Sequence, residues 1–326
     1  LDLPNRGSVS GMGIPKGITL FVGGGYHGKS TVLQALQNAV YNHIGGDGRE
    51  LVIADASAWK LRSEDGRSIS GVDISPFIRQ LPGRKDTRHF SSEDAIGSTS
   101  QAANLMESRE SGSSLILIDE DTSATNFMIR DELMQRGVCR EEEPITPFIE
   151  RARFLYEKCG ISSVLVAGSS GAYFYIADTI LQMDRYVPKD ITEFAKKEAA
   201  EYAAASVSAS HPSSPGQPAA AVQGRPAVQK LPDPALPSFQ RVPSCNMALR
   251  RDDRLKTRTR GTDDVQLGHE NIDLRYLEQL ADQEQTAALS YILALAEKNL
   301  LDGRKTMTQL VDTICALIDQ KGLAGL

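Results

Sequence analysis

Apolar residues fall along this chain in short blocks separated by longer amphipathic stretches. Blocks such as Ile18-Thr19-Leu20-Phe21-Val22, Leu115-Ile116-Leu117-Ile118 and Val164-Leu165-Val166 are strand-length and rich in branched residues. They predict buried strands rather than helices. The pattern places strands at 18–23, 51–54, 114–119, 163–167 and 179–183, and helices at 29–41, 100–110, 127–135, 147–158 and 193–205. Strands alternating with helices predict an α/β fold, a mostly parallel sheet covered by helices. Between 203 and 243 the pattern stops. The chain becomes Ala, Pro, Ser and Gln, as in His211-Pro212-Ser213-Ser214-Pro215 and Leu231-Pro232-Asp233-Pro234. Such a segment buries too little surface to offset its ordering entropy and reads as a mobile linker. Apolar residues then return at helical spacing (Leu274, Leu277 and Leu280; Leu289, Ile292 and Leu293; Leu310, Ile314, Leu317 and Ile318) and predict a small helical module. The expected organisation is a unit over 1–202, a linker over 203–245, and a basic segment plus helical domain over 246–326.

Composition narrows this only modestly. The 326 residues suffice for one large core and a smaller module, and 40% hydrophobic with 24% charged residues is a globular balance. No apolar stretch approaches membrane-spanning length. A net charge of −6 gives no global nucleic-acid signature but leaves room for a local basic patch. Cys139, Cys159, Cys245 and Cys315 lack C-x-x-C spacing, which argues against a disulfide framework or zinc site and suits a reducing compartment. The chain opens on Leu1 rather than Met, so a fragment or processed form is expected.

The candidate chemistry begins where the strand at 18–23 ends. Gly23, Gly24, Gly25, Tyr26, His27, Gly28, Lys29 and Ser30 match G-x-x-x-x-G-K-[ST], with Thr31 continuing into a helix. Glycines let backbone N–H groups curl around phosphate oxygens, and the helix N-terminus adds a positive field. Lys29 would reach the β- and γ-phosphates, and the Ser30 hydroxyl would sit on Mg²⁺. Tyr26 and His27 read as loop walls. Further on, Leu115-Ile116-Leu117-Ile118 ends in Asp119-Glu120. A buried strand there would bring Asp119 beside the loop to hold Mg²⁺, with Glu120 orienting or deprotonating an attacking water. A strand ending in a solvated acidic turn is the plainer alternative.

The strings Gly11-Met12-Gly13-Ile14-Pro15, Gly71-Val72-Asp73-Ile74-Ser75-Pro76 and Asp119-Glu120-Asp121-Thr122-Ser123-Ala124 resemble the family of predicted ATPases of the ABC class. Pro144-Ile145-Thr146-Pro147 and Ala177-Asp178-Thr179-Ile180 carry the same likeness, which covers about residues 1–190 and resumes near Arg258. The resemblance implies a P-loop ATPase of ABC type using ATP and Mg²⁺. It also implies homodimerisation through head-to-tail composite sites, or through an N-terminal region that precedes this stretch in the family. Members are soluble and mostly bacterial. A kinetoplastid member is mitochondrial and associated with RNA editing, so RNA, a multiprotein RNA-processing complex and a mitochondrial location are the implied partners and place. No membrane attachment is expected.

In this likeness Gly97 with Ser98, Thr99, Ser100 and Gln101 takes the place of the L-S-G-G-Q signature. Ser98, Ser100 and the helix start would face a second subunit's γ-phosphate; taken alone, such a cluster is more often an N-cap. Ser123 would lie in the D-loop. Ser169 stands where a switch histidine is usual and is a poor proton relay, which implies slow or partner-stimulated turnover. Gln80 is the nearest candidate for the metal-touching Q-loop glutamine, against an ordinary surface residue. Arg250, Arg251, Arg254, Lys256, Arg258 and Arg260 form a candidate RNA-binding patch, although a basic tail is often merely solvated. The competing functions are an ATP-binding scaffold with little turnover, the nucleotide-binding subunit of a transporter, and a P-loop kinase or GTPase. The last lacks an Asn-Lys-x-Asp guanine-reading string.

Overall fold

The computed structural model describes residues 1–5, 7–130, 142–209, 233–243, 245 and 255–323. Residues 131–135 of the helix expected at 127–135, Cys139, Arg250, Arg251 and Arg254 lie outside these residues, as does 210–232.

A short ribbon of β1 (Asp2–Leu3) and β2 (Gly7–Ser8) precedes the main sheet. Then come β3 (Ile18–Val22), α1 (Lys29–Asn38), β4 (Ala58–Leu61), β5 (Arg67–Val72), β6 (Phe90–Ala95), α2 (Gly97–Glu110) and β7 (Leu115–Asp119). They are followed by α3 (Thr125–Met128), α4 (Phe148–Cys159), β8 (Ser162–Val166), β9 (Thr179–Asp184), β10 (Val187–Asp190) and α5 (Thr192–Ala209). The six-stranded sheet runs β10-β9-β3-β8-β7-β4 and is parallel apart from β10. Alternate residues serve opposite faces, because side chains on a strand repeat every second position. Ile18, Leu20, Ile116, Ile118 and Leu165 pack with α4 residues Phe148, Ala152 and Leu155. Phe21, Leu117, Val164, Val166 and Leu181 pack with Leu33 of α1. Helices on both faces explain the apolar runs that mark these strands in the sequence.

One strand falls elsewhere than expected. Residues 51–54 form no strand, and Leu51 and Ile53 are 55% and 69% exposed. They border a recess of about 770 Å³ with Met12, Ile14 and Leu36. The edge strand is β4 instead, paired with β7 through Ala58↔Leu115 and Leu61↔Ile118. Its apolar pattern is broken by Lys60, which hides it from a hydrophobicity reading.

The segment expected to be a mobile linker is structured at both ends. At its start α5 continues to Ala209, and at its far end residues 233–243 lie extended against the first unit. The Ser238 N–H donates to the Asp73 carboxylate at 3.0 Å, Phe239 joins the core, and Arg109 stacks over its ring. Arg241 spans Glu107 and Glu110 of α2 at 3.3 and 2.6 Å and donates to the Ser70 carbonyl at 3.0 Å. A few specific anchors therefore override a composition that favours disorder.

The C-terminal region contains a sheet as well as helices. β11 (Thr257–Arg260), β12 (Asp264–Leu267) and β13 (Glu270–Asp273) form an antiparallel meander, followed by α6 (Gln283–Leu295) and α7 (Met307–Lys321). The meander's polar residues leave only Val265 and Leu267 buried in β12, so it carries almost no hydrophobic signal. Both helices begin with capping boxes, Asp282 with Gln285 and Thr306 with Gln309. The region docks onto the edge of the main sheet. The Gln279 carboxamide accepts from Lys60 N–H at 3.0 Å and donates to the Ala58 carbonyl at 2.9 Å and the Gln37 carbonyl at 3.1 Å. It thereby satisfies backbone groups that an edge strand would otherwise leave open.

Candidate active site

The sheet register brings the candidate residues together. Phe21 of β3 and Asp119 of β7 both pair with Val166 of β8, so they occupy one rung across three strands. Their backbones are thus about 10 Å apart, at 4.7–4.9 Å per strand step. The chain leaves this rung at the carboxyl edge through Gly23, Glu120 and Gly168, where open α/β sheets bind ligands.

The glycine turn holds its shape for steric reasons. Gly23 has φ 140°, and a Cβ there would lie 2.5 Å from the Met183 carbonyl oxygen. Gly28 caps α1 in the left-handed region at φ 96°. The Lys29 ammonium folds back onto the Gly23 and Gly24 carbonyls at 2.7 and 2.8 Å. It also lies near Gly168, where a Cβ would approach Lys29 Nζ to 3.9 Å. Gly24, Gly25, Tyr26, Ser30 and Thr31 are exposed, and His27 is half-buried. Ser30 and Thr31 sit in the first turn of α1, where unpaired backbone N–H groups favour an anion.

Glu120 reaches across to the strand between the loop and its own strand. Its Oε2 accepts from Gly168 N–H and Ser169 N–H at 2.9 and 3.2 Å, while its Oε1 accepts from the Ser169 hydroxyl at 2.8 Å. Glu120 and Ser169, separate candidates in the sequence, are therefore in direct contact, and Ser169 orients the carboxylate. Asp119 is buried and accepts from Asp121 N–H at 3.2 Å. Beneath Glu120 lies Tyr173, fully buried, whose hydroxyl has no hydrogen-bond partner among the described residues. Burial, then the Glu120 charge, pushes its phenol above the usual range. Lys60 approaches from β4, its Nζ 3.5 Å from Thr122 Oγ1. Burial holds its ammonium below the usual lysine range, while Glu278 and Asp119 pull it back up. Sequence reading passed over Tyr173 and Lys60; the lone cation inside Ala58-Trp59-Lys60-Leu61 is the one signal that marks the latter.

The Ser98–Gln101 group behaves differently from expectation. Ser100 and Gln101 are fully buried. The Ser100 hydroxyl donates to the Gly97 carbonyl at 2.9 Å and accepts from Glu64 N–H at 3.0 Å. Gln101 donates to the Ser123 hydroxyl at 2.9 Å and accepts from Ala124 N–H at 2.8 Å, and Ser123 donates to the Asp119 carbonyl at 2.7 Å. Gln101 and Ser123 brace the acidic turn within their own chain, and Ser100 is spent on Gly97 and Glu64, so a phosphate-facing role for Ser100 or Gln101 is not available in this arrangement. Ser98 is also buried, and the half-buried Thr99 is what the helix start presents, its hydroxyl donating to the Ile96 carbonyl at 2.7 Å. Nor is the cluster an N-cap: the cap residue is Ile96, and the Gly97 N–H is met by Asp65 at 3.2 Å.

Gln80 makes no hydrogen bond to the other candidate residues among those described. It is exposed in the connection between β5 and β6, just past the Ile78–Ile145 bridge. The chain leaving β4 beside Asp119 is Arg62-Ser63-Glu64 instead, with Ser63 N–H on the Thr122 carbonyl at 3.0 Å and Arg62 on Glu278 at 2.7 Å. Of the basic patch, Lys256 just before β11 and Arg258 and Arg260 within it are all exposed at alternate positions. They share one strand face, with Asp264 opposite Arg260.

Among the described residues there is no cluster of three or more metal-ligating side chains, and no helix is long and apolar enough to cross a membrane. Comparison with known proteins yields two family models. The P-loop domain of the ABC_ATPase family matches residues 1–217, and the MRB1590 C-terminal domain matches 256–326. An uncharacterised protein of Methanocaldococcus jannaschii is 34% identical over 174 residues, 52% of this chain. The match spans 37% of that relative's length.

Proposed function

The chain belongs to the ABC_ATPase P-loop family, and from that premise we propose that it hydrolyses ATP with Mg²⁺ and uses ATP-driven closure of a head-to-tail homodimer to act on RNA. The observation that carries the catalytic part is the shared rung that aligns the Lys29 loop, the Asp119-Glu120 turn and the Ser169 segment. Ser30 and Asp119 supply the hard oxygen donors that suit Mg²⁺, which when bound neutralises charge developing on the phosphates. Lys29 exchanges the Gly23 and Gly24 carbonyls for phosphate oxygens. Glu120, held by three donors on Gly168 and Ser169, takes the proton of the attacking water or orients it. Ser169 is a positioning residue and cannot relay a proton as a histidine would, so turnover is slow or waits on a partner.

Thr99 and the start of α2, with the largely buried Ser98 beside them, are the groups that would meet the second subunit's phosphate. The RNA assignment draws on the match to the MRB1590 C-terminal domain and on the exposed Lys256, Arg258 and Arg260 face. That match also favours a kinetoplastid setting, with a place in a mitochondrial RNA-editing complex. The Ser169 position supports one other reading, an ATP-binding scaffold with little turnover.

ATP turnover by the wild type and Glu120→Gln separates the two. Loss of turnover with retained ATP binding supports the enzyme; an unchanged rate removes Glu120 from the chemistry. Sedimentation with and without ATP tests closure, and a monomer under both conditions counts against the composite site. RNA binding across a salt series tests the partner, which fails if nothing binds at moderate salt.

A further inference from the structure

The residues described so far handle phosphate and water, and none of them recognises a base. We propose that Tyr186 is the stacking platform for the nucleobase. This deepens the nucleotide-binding reading above and rests on it.

Tyr186 belongs to the two-residue turn between β9 and β10, whose closing pair is Asp184↔Val187. Arg185 and Tyr186 have φ of 48° and 67°, the left-handed pair that a tight hairpin turn needs and that Asn-Gly ordinarily supplies. A bulky aromatic at such a φ is uncommon and points to a use for the side chain. The turn is tied to the phosphate loop on both residues. Tyr186 N–H donates to the His27 carbonyl at 3.0 Å, and Arg185 N–H donates to His27 Nδ1 at 3.0 Å. His27, read from sequence as a loop wall, is thus the strut that fixes this hairpin to the loop.

The ring itself lies against the loop. A Cβ on Gly28 would come within 2.6 Å of Tyr186 Cδ1 and 3.1 Å of Cε1. Gly28 caps α1, so this ring edge adjoins the helix start where the phosphates bind. The residue nevertheless stays 66% exposed. The chain therefore holds a large ring in a costly backbone conformation beside the phosphate cradle without burying it. A planar base linked to those phosphates would cover it. Stacking on an aromatic face serves every base, so this contact adds affinity without choosing between adenine and guanine. Tyr26 is the competing ring. It is 100% exposed and also at positive φ, 62°, but among the described residues no element fixes its side chain against the loop.

The test measures binding of ATP, GTP and inorganic tripolyphosphate to the full chain and to Tyr186→Ala, Tyr186→Phe and Tyr26→Ala, all with Mg²⁺. Tyr186→Ala should bind ATP and GTP about tenfold more weakly, as loss of one stacked base predicts, with tripolyphosphate binding unchanged. Tyr186→Phe should bind all three as the wild type does. Unaltered tripolyphosphate binding also shows that the variant's loop is intact. Wild-type ATP affinity in Tyr186→Ala overturns the proposal. So does an equal loss of tripolyphosphate, which would mean the ring only shapes the loop, or a base-dependent loss confined to Tyr26→Ala. A wild type that binds none of the three overturns the nucleotide reading itself, whereas each preceding outcome leaves it standing.

Discussion

Replacing Arg241 by Met tests whether the chain beyond 232 is an anchored part of the fold. The substitution keeps the aliphatic stem and removes the cation that spans Glu107 and Glu110. The Glu110 side chain is only 5% exposed and Arg241 only 18%, so Glu110 would be left buried without its partner. Breaking a buried ion pair on one side costs about 3–5 kcal/mol, and the partial exposure of Arg241 favours the lower end. At about 2–4 °C per kcal/mol for a chain of this order of size, a 3 kcal/mol loss lowers Tm by about 6–12 °C. The deficit also has a pH signature. Burial raises the Glu110 carboxyl above its usual range, and Arg241 opposes that rise. A carboxyl raised in the folded state binds its proton more tightly there than when unfolded. Its contribution therefore favours the fold at low pH and is lost as pH rises through the folded value. Removing Arg241 raises Glu110 further and widens that window, so the deficit should be largest near pH 7–8 and shrink toward pH 5. Calorimetric or circular-dichroism melts of both proteins over that range provide the measurement. Adding Glu110→Gln to the variant should recover part of the loss at pH 7. A Tm within about 2 °C of wild type, or a deficit that grows on acidification, would refute the reasoning.

Other outcomes follow from the same packing. Gln279→Ala removes two hydrogen bonds from the β4 edge and one from Gln37 of α1; it should cost about 1–3 kcal/mol, with faster amide exchange at Lys60 in native-state hydrogen exchange. Leu117→Ala opens the sheet face beneath α1 and should lower unfolding free energy by about 2–5 kcal/mol in denaturant titration. Lys29→Ala should weaken Mg²⁺–ATP binding about ten- to a hundredfold, while losing the Gly23 and Gly24 carbonyl contacts costs the nucleotide-free protein only about 1–2 kcal/mol in denaturant titration. If the β11 face binds RNA, Arg258→Ala with Arg260→Ala should reduce the slope of log affinity against log salt by about 1.5–2, read from filter binding across a salt series.

Most of the phosphate-handling site was legible in the chain because its signals are local. Gly23 through Thr31 follow a buried strand and open a helix, and Asp119-Glu120 end another; each motif is complete within one strand and its exit. Glu120 and Ser169 were each singled out from the sequence without a contact between them, and strand order joined them by hydrogen bonds. Where several segments converge, sequence reading was weakest. Gln80 was chosen for its residue type, yet β4 delivers Arg62-Ser63-Glu64 to that edge, and β4 itself is masked by Lys60. Ser100 and Gln101 carry the right chemistry for a partner's phosphate, but Glu64 and Gly97 consume the first and the segment after the acidic turn the second. The meander at Thr257–Arg260 and its partners has too few apolar positions to announce itself.

By itself, the sequence determined the parallel α/β core, the phosphate loop and the identity of the acidic pair. These depend on short-range periodicity and on glycines whose conformational freedom is visible residue by residue. Tertiary structure alone decided which polar groups remain free for ligand. It spent Ser100, Gln101 and Gln279 on internal hydrogen bonds, pinned residues 233–243 through Arg241, and left Tyr186 open beside Gly28. A side chain's availability depends on what distant segments bring against it, and a linear pattern does not encode that.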